Sequence, residues 1–384
     1  MAKNNFEAIS KKALLLHKKT HGKFSIRSKV PVRGPEDLQL VYTPGVGAVS
    51  LYLAKHPQEV RNYTMKGNSV AVISDGSAVL GLGNIGPEGA LPVMEGKCIL
   101  FKKFADIDAV PIVLATQDVD EIVQTVKFIA PAFGGINLED ISAPRCFEIE
   151  ERLRRELSIP VMHDDQHGTA IVILAGLLNA LKVVGKRMSD ARIVVSGAGA
   201  AGTAVTKILL QEGARHILVC DSKGILVSSR KNLSREKREL AGRTNREKIV
   251  GDLAQAMRGA DVFIGVSAPG IVSEAMVREM ASDAVVFALA NPVPEIMPER
   301  AKLAGAKVVA TGRSDFPNQL NNSQVFPGVF RGALDNNIRR ITDEMKRRAA
   351  HALASLVPHP TAKLILPGMF DRRLVKTIAK AMHD

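Results

Sequence analysis

"RIVVSGAGAAGTAVTKILL", residues 192–210, decides the fold. An apolar, β-branched run stops at Gly197, and apolar residues at helical spacing resume beyond Gly202. Between them Gly197, Gly199 and Gly202 stand as G-x-G-x-x-G, with Ala198, Ala200 and Ala201 as the intervening residues. Glycines in that pattern permit a tight turn and a close approach of backbone to a pyrophosphate, which then sits at the helix N-terminus. The next apolar run, "LVCDSKG", ends in Asp221, where the acid that holds a ribose hydroxyl belongs. Strand, helix and acid in register make this a dinucleotide site, against the plainer reading of a tight turn alone.

Outward from this unit, short β-branched runs alternate with amphipathic stretches from residue 69 onward. "SVAVIS", "AVPIVLA", "IPVM", "HILVC", "DVFIGV" and "AVVFALA" read as strands, and "VDEIVQTVKFIA", "CFEIEERLRREL" and "TAIVILAGLLNALKVV" as helices. That alternation predicts an α/β chain with largely parallel sheets. A length of 384 residues suits two domains. The expected division is 1–162 for an N-terminal α/β domain and 163–384 for a Rossmann-type domain. Helices in the tail from residue 328 are expected to pack back on the first domain.

Lys and Arg outnumber Asp and Glu by 52 to 39, a net charge of +13. The excess raises nucleic acid as a partner, but the basic runs are mixed with Glu, Trp is absent and Tyr occurs three times, leaving few stacking platforms. A basic surface also favours the approach of small dianionic acids. No apolar run approaches the roughly 18 residues of a membrane span, so no membrane partner is expected. Cys98, Cys146 and Cys220 have no metal-binding spacing and read as reduced and structural. The basic N-terminus lacks a secretory core; Phe6, Ile9, Ala13 and Leu16 share a helical face that Gly22 would end. A cytoplasmic protein is the expectation.

Two apolar segments end in paired carboxylates: "INLEDISAP" (136–144) in Glu139 and Asp140, and "VMHDDQHGTA" (161–170) in Asp164 and Asp165. Adjacent strand residues point to opposite faces, so the first pair converges only if the chain turns as the strand ends. Carboxylate oxygens suit Mg²⁺ or Mn²⁺; capping of the following helix by Asp164 and Asp165 is the competing reading. Tyr42, in "LVYTPGVG", reads by default as structural. Lys97 falls between apolar residues, as a base with a depressed pKa or as an ordinary snorkelling lysine. "SDGSAVLGLGNIGP" (74–87) is a Gly-rich loop, a turn or a ligand-contacting segment.

Together "VYTPGVG", "SDGSAVLGLGNIGP", "MEGKCILFKKFADIDAVPI", "INLEDISAP", "HDDQHGTA", the glycine turn, "ANPVPEI" and "NNSQVFPGVFRGA" strongly resemble malic enzyme of the small prokaryotic type, in order over most of the chain. The resemblance implies oxidative decarboxylation of malate to pyruvate and CO₂ with NAD or NADP as cofactor. It implies Glu139, Asp140 and Asp165 as ligands of Mg²⁺ or Mn²⁺, Lys97 as general base and Tyr42 as general acid. Asn291 and Asn322 match substrate-contacting positions, with Asn291 also near the nicotinamide ribose. One departure stands out: larger relatives carry an arginine where this sequence has Ala78, leaving the distal carboxylate to Ser77, loop amides or Asn322. A stand-alone form without the phosphotransacetylase-like extension of hybrid relatives is expected. A homodimer or higher homo-oligomer, with the N-terminal helix in the contact, is expected. The rival readings are a metal-independent dehydrogenase of another hydroxy or amino acid and a basic nucleic-acid-binding protein. Asp221 favours a free ribose hydroxyl, whereas Lys223 and Arg230 follow closely enough to meet a 2′-phosphate.

Overall fold

Two largely parallel sheets organise the chain, with helices covering their faces. The computed structural model describes residues 2–383, with side chains from residue 8 onward. The first sheet contains β1 (Ser69–Ser74), β2 (Asp108–Val113), β3 (Gly135–Leu138) and β4 (Val161–His163) in the order β2-β1-β3-β4, all parallel. The second contains β5 (Arg192–Ser196), β6 (His216–Asp221), β7 (Gly224–Ile225), β8 (Val262–Gly265), β9 (Val285–Ala288) and β10 (Val308–Thr311), ordered β10-β9-β8-β5-β6-β7. Only the two-residue β7 runs antiparallel. The central strands are buried on both faces, which is why they read as continuous apolar runs rather than alternating ones.

The α/β expectation holds, and the strand runs fall where the sequence put them. β10 was not anticipated: "KVVATG" is short and follows a Gly-Ala turn, so its β-branched pair carries little periodic signal. The strand β4 belongs to the first sheet and ends at His163, and the next helix, Asp164–Val184, leads into the second sheet. That helix is long and apolar enough to cross a bilayer by composition, which a count of uninterrupted apolar residues overlooks. It is instead a core helix, with Ile171, Ile173, Leu174, Ala175 and Leu177 fully buried. Its Asn179 donates its amide to the carbonyls of Ala354 and Ile365, both at 2.8 Å, so the polar group inside the core is satisfied.

The C-terminal helix Phe326–Asp335 packs against the first sheet's helix Gly86–Ala105. Phe101 meets Phe326 and Phe330 edge-on, with ring centroids 4.7 and 5.5 Å apart, all three being fully buried. The N-terminal region behaves differently. Helix Ala2–Thr20 ends near Gly22, which takes φ 95°, as the sequence suggests; the side chain of Phe6 lies outside the described residues. Ile9, Leu14, Leu15 and Leu16 are exposed, and the helices Pro35–Val41 and Gly45–Lys55 bury no residue. Residues 23–29 are tied to the body by Lys23, whose amide donates to Glu95 at 2.9 Å, and by Lys29 paired with Asp108 at 2.9 Å.

Because Phe101 packs edge-on against both aromatic rings of helix Phe326–Asp335, Phe101→Ala should cost about 3–5 kcal/mol by transfer and cavity terms together. The check is a thermal unfolding curve, which should shift several degrees downward; an unchanged midpoint refutes this account of the packing.

Candidate active site

Every strand except β7 points its carboxyl end toward one side, and the loops that leave those ends line a cleft of about 550 Å³ between the sheets. From β3 come Glu139 and Asp140, and after β4 comes Asp165. Lys97 enters from the middle of helix Gly86–Ala105. The second sheet contributes Gly199, Ala200 and Ala201 after β5, Asn291 after β9, and Asn322 beyond β10.

The chain does turn where convergence of Glu139 and Asp140 demands it. Asp140 adopts φ 54°, a left-handed conformation that brings its side chain round to join its neighbour. Its amide donates to Asp165 Oδ2 at 2.8 Å, and its carbonyl accepts from the amide of Ala78 at 2.9 Å. One carboxylate oxygen from each of Glu139, Asp140 and Asp165 lies within 4.8 Å of the others. Asn137 donates its amide to Glu139 Oε2 at 3.0 Å. Capping is not the job of the second pair: His163 is the N-cap of the helix and makes no side-chain cap bond, while Asp164 faces Lys97.

Lys97 is buried, its ammonium 2.7 Å from Asp164 Oδ2, 2.8 Å from Glu139 Oε1 and 4.4 Å above the ring of Phe326. Burial opposes its charge, but Asp164, Glu139 and Asp165 outweigh burial and raise its pKa. The sequence-based idea of a lysine with depressed pKa is therefore overturned for this state: the spacing "EGKC" shows burial, but not two carboxylates brought from distant strands. Four carboxylates share this one ammonium. Burial raises Glu139 well above the usual carboxylate range despite Lys97. Burial, and then the charge of Asp165, push Asp140 up to about 8. Asp140 Oδ2 is buried with no hydrogen-bond partner among the described residues. An excess of buried negative charge, an orphaned oxygen and three clustered carboxylates fit a hard divalent cation.

On the dinucleotide side the glycines act as the pattern requires. A Cβ on Gly202 would stand 1.7 Å from the Gly197 carbonyl oxygen, whereas one on Gly199 would meet nothing within 4 Å, which leaves that surface open. Gly199 is the N-cap of helix Ala200–Gln211, so free amides face the cleft. Ala198 is buried within the turn. Asp221 is held by Arg230 through two contacts of 3.0 Å, by Lys237 at 2.8 Å and by the Lys223 amide at 2.9 Å. Burial notwithstanding, these donors lower its pKa to about 2. Lys237 was not singled out in the sequence; a helical lysine sixteen residues beyond the acid gives no local signal.

Two expected residues stand apart. Ser77 is buried but does not line the cleft; its hydroxyl donates to Asp75 Oδ1 at 2.5 Å and accepts from the Ser142 amide at 2.9 Å. Arg145 pairs with the other oxygen of Asp75 at 2.9 Å. Tyr42 is 63% exposed and lies outside the cleft lining. Lys97 is the one Lys or Arg in that lining among the described residues. Asp164, Asn137 and Asn321 were missed as site residues. Only the doubled aspartate offered a signal, and it was ambiguous with capping.

Fold and cleft define a two-domain, dinucleotide-dependent oxidoreductase built round an acidic centre. Residues 21–154 match the family model described as malic enzyme, N-terminal domain, and residues 166–383 match malic enzyme, NAD binding domain. The chain belongs to the malic enzyme family. It is 55% identical over 378 residues to the bifunctional malic/malolactic enzyme of Bacillus subtilis, covering 98% of this chain and 92% of that one. It is 49% identical over 348 residues to the NADP-dependent malic enzyme of Halomonas elongata, covering 90% and 82%. The crystal structure of the NAD-dependent malic enzyme from Thermotoga maritima superposes with a TM-score of 0.93 at 48% identity, over 96% of this chain and 98% of that one.

The raised pKa of Asp140 sets a pH dependence. Below about 8 a proton occupies this carboxylate and competes with a cation; above it the carboxylate is free. Mn²⁺ affinity, measured by calorimetry on either side of that pH, should rise as pH rises and level off above it, with proton uptake by buffer on binding below it. A flat affinity profile refutes the assignment of Asp140 as a ligand.

Proposed function

We propose that the chain oxidises and decarboxylates L-malate to pyruvate and CO₂ with reduction of NAD⁺ or NADP⁺, in a divalent-metal-dependent reaction. One observation carries the reading: a buried lysine and three clustered carboxylates open into the same cleft as the glycine turn. Glu139, Asp140 and Asp165 would hold Mg²⁺ or Mn²⁺, which when bound supplies Lewis-acid polarisation of the hydroxy acid and of the charge left after CO₂ departs. Hydride acceptance is the chemistry that a dinucleotide over Gly197–Gly202 supplies.

The chain's own groups move the protons. Lys97 takes the C2 hydroxyl proton, and to do so it must first lose the proton that Asp164 and Glu139 hold on it. Engagement of Glu139 by a cation weakens that hold and leaves Asp164 as the orienting partner. Asn291 and Asn322 present neutral donors at the cleft wall, which suits a substrate carboxylate where Ala78 offers no charge. Ser77, with its hydroxyl engaged, acts by shaping the loop through Asp75 and Ser142. Arg230 and Lys237 bring two positive charges to the one negative charge of Asp221, which supports acceptance of a 2′-phosphate and hence of NADP⁺.

Tyr42 protonates C3 of the decarboxylated product, and it does so in a homodimer. The supporting observation is the arm itself: Leu38, Leu40, Val41, Leu51 and Tyr52 are exposed around Tyr42, a contiguous apolar region that a second copy would cover. Three buried, unpaired cysteines support a cytoplasmic location.

Absorbance at 340 nm with malate, Mn²⁺ and each dinucleotide in turn tests the reaction. NAD(P)H and pyruvate should form in equal amounts, EDTA should abolish both, and Lys97→Ala should lower the rate by roughly 10² to 10⁴. Turnover after exhaustive chelation refutes the metal role. For Tyr42, the variants Tyr42→Phe and Lys97→Ala are each to be purified, then unfolded and refolded together. If Tyr42 serves the partner's cleft, mixed dimers regain one intact site and activity reappears; a mixture as inactive as its parts assigns Tyr42 to its own chain or to no catalytic role.

A further inference from the structure

A second cavity, of about 430 Å³, shares a wall with the first. Asp165, Thr169 and Val172 face the main cleft, whereas Gln166, His167 and Ala170 of the same helix line the second. Its other walls are helix Arg145–Glu156 from the first sheet, helix Ala200–Gln211 from the second, and the C-terminal helix Asp343–Ser355 with Arg340 before it. The cavity therefore lies between the two halves of the molecule.

Five Lys and Arg side chains line it against three carboxylates. The carboxylates are largely committed. Glu150 is buried; its Oε1 accepts from the His163 amide at 3.0 Å, and its Oε2 meets His167 Nε2 at 2.9 Å. Asp343 accepts from Lys346 at 3.0 Å and from Gln211 at 2.9 Å. Of the cations, Lys207 pairs with Glu239 at 2.9 Å and Arg155 with Glu156 at 3.5 Å, whereas Lys346, Arg340 and Arg154 are less well answered. Lys346 is 5% exposed, and among the described residues its ammonium bonds only to Asp343 at 3.0 Å and His167 Nε2 at 3.5 Å. Burial depresses its ammonium despite Glu150 and Asp343, and Arg154 adds to the depression. Arg340 is exposed at the rim with no ionic partner among the described residues. Arg154 donates only to the Ile341 carbonyl, at 3.1 Å. The buried Thr203 hydroxyl in the same lining has no hydrogen-bond partner among the described residues.

We propose that this cavity binds a small polyanion, a phosphate ester or a polycarboxylate, held by Lys346, Arg340, Arg154 and Lys207 with Thr203 and Gln211 as neutral donors. A surplus of cations in a cavity between helices is stabilised by an anion that a single side chain cannot supply. The occupant ties helix Arg145–Glu156 to helix Ala200–Gln211, whose first residues line the main cleft, and it sits against Glu150, which anchors the backbone just before Asp164. The site is independent of the malate reading, since none of its cations touches the acidic centre.

Calorimetric titration of the metal-free full chain with pyrophosphate and, separately, with tricarballylate tests it, in buffer of physiological ionic strength. At least one anion should bind, and the double substitution Arg340→Ala with Lys207→Ala should weaken it roughly tenfold or more, the loss of charge-assisted hydrogen bonds. Asp165→Asn, in the main cleft, should leave that binding unchanged. Pyrophosphate binding alone identifies phosphate esters as the class, tricarballylate alone polycarboxylates, and both a general polyanion site. Binding of neither, or binding that survives the double substitution or falls with Asp165→Asn, overturns the proposal. Both substituted residues are at the surface or half-buried, and an unchanged thermal midpoint will show that the fold is intact.

Discussion

Four carboxylates gathered around one ammonium set the terms for the rest of this structure. Glu139, Asp140, Asp164 and Asp165 sit at the ends of two neighbouring strands, and Lys97 answers only two of them directly. Buried charge of one sign is tolerated only where hydrogen bonds, protons or a cation balance it. Here the balance is shared: Asn137 and the Asp140 amide supply hydrogen bonds, and burial raises Glu139 and Asp140 so that they hold protons. The surrounding core is apolar enough to keep the imbalance strong, with Phe326 directly under the lysine.

The architecture places that centre by a simple rule. In parallel sheets all carboxyl ends face one way, so loops from several strands meet without any one of them being long. Here two such sheets face each other across a cleft, and the first sheet's loop at Gly81 comes so near the second that a Cβ there would lie 2.4 Å from the Asn291 carbonyl oxygen. The helix Asp164–Val184 joins the two systems. Its first turn carries site residues, its middle is core, and it packs on both the glycine-turn helix and the C-terminal helices. The basic cavity and the cleft share this helix as a wall.

The N-terminal arm follows the opposite logic. Its helices have apolar residues but nothing of their own chain to place them on, and they bury none. Such surface is normally covered in the assembled protein. Tyr42 caps the C-terminus of one of these helices, Pro35–Val41.

The sequence by itself determined the local and repetitive features. The strand–turn–helix of residues 192–210 was legible because a continuous apolar run gives way to helical spacing across three glycines, of which Gly197 and Gly202 answer a local steric need. Glu139, Asp140 and Asp165 were legible as candidates because carboxylates at the ends of apolar strands are too costly to be incidental, and the family resemblance separated ligands from caps. Tertiary structure decided everything that depends on distant partners. Asp164 turned from cap to lysine partner because helix Gly86–Ala105 delivers Lys97 to it, and Lys97 gained charge stability where burial alone implied loss. Asp221 became the centre of an ion-pair cluster because Lys237 arrives from a separate helix. Charges interact through space and not along the chain, so their signs are written in the sequence, whereas their energies are fixed only when the fold sets their distances and excludes water from between them.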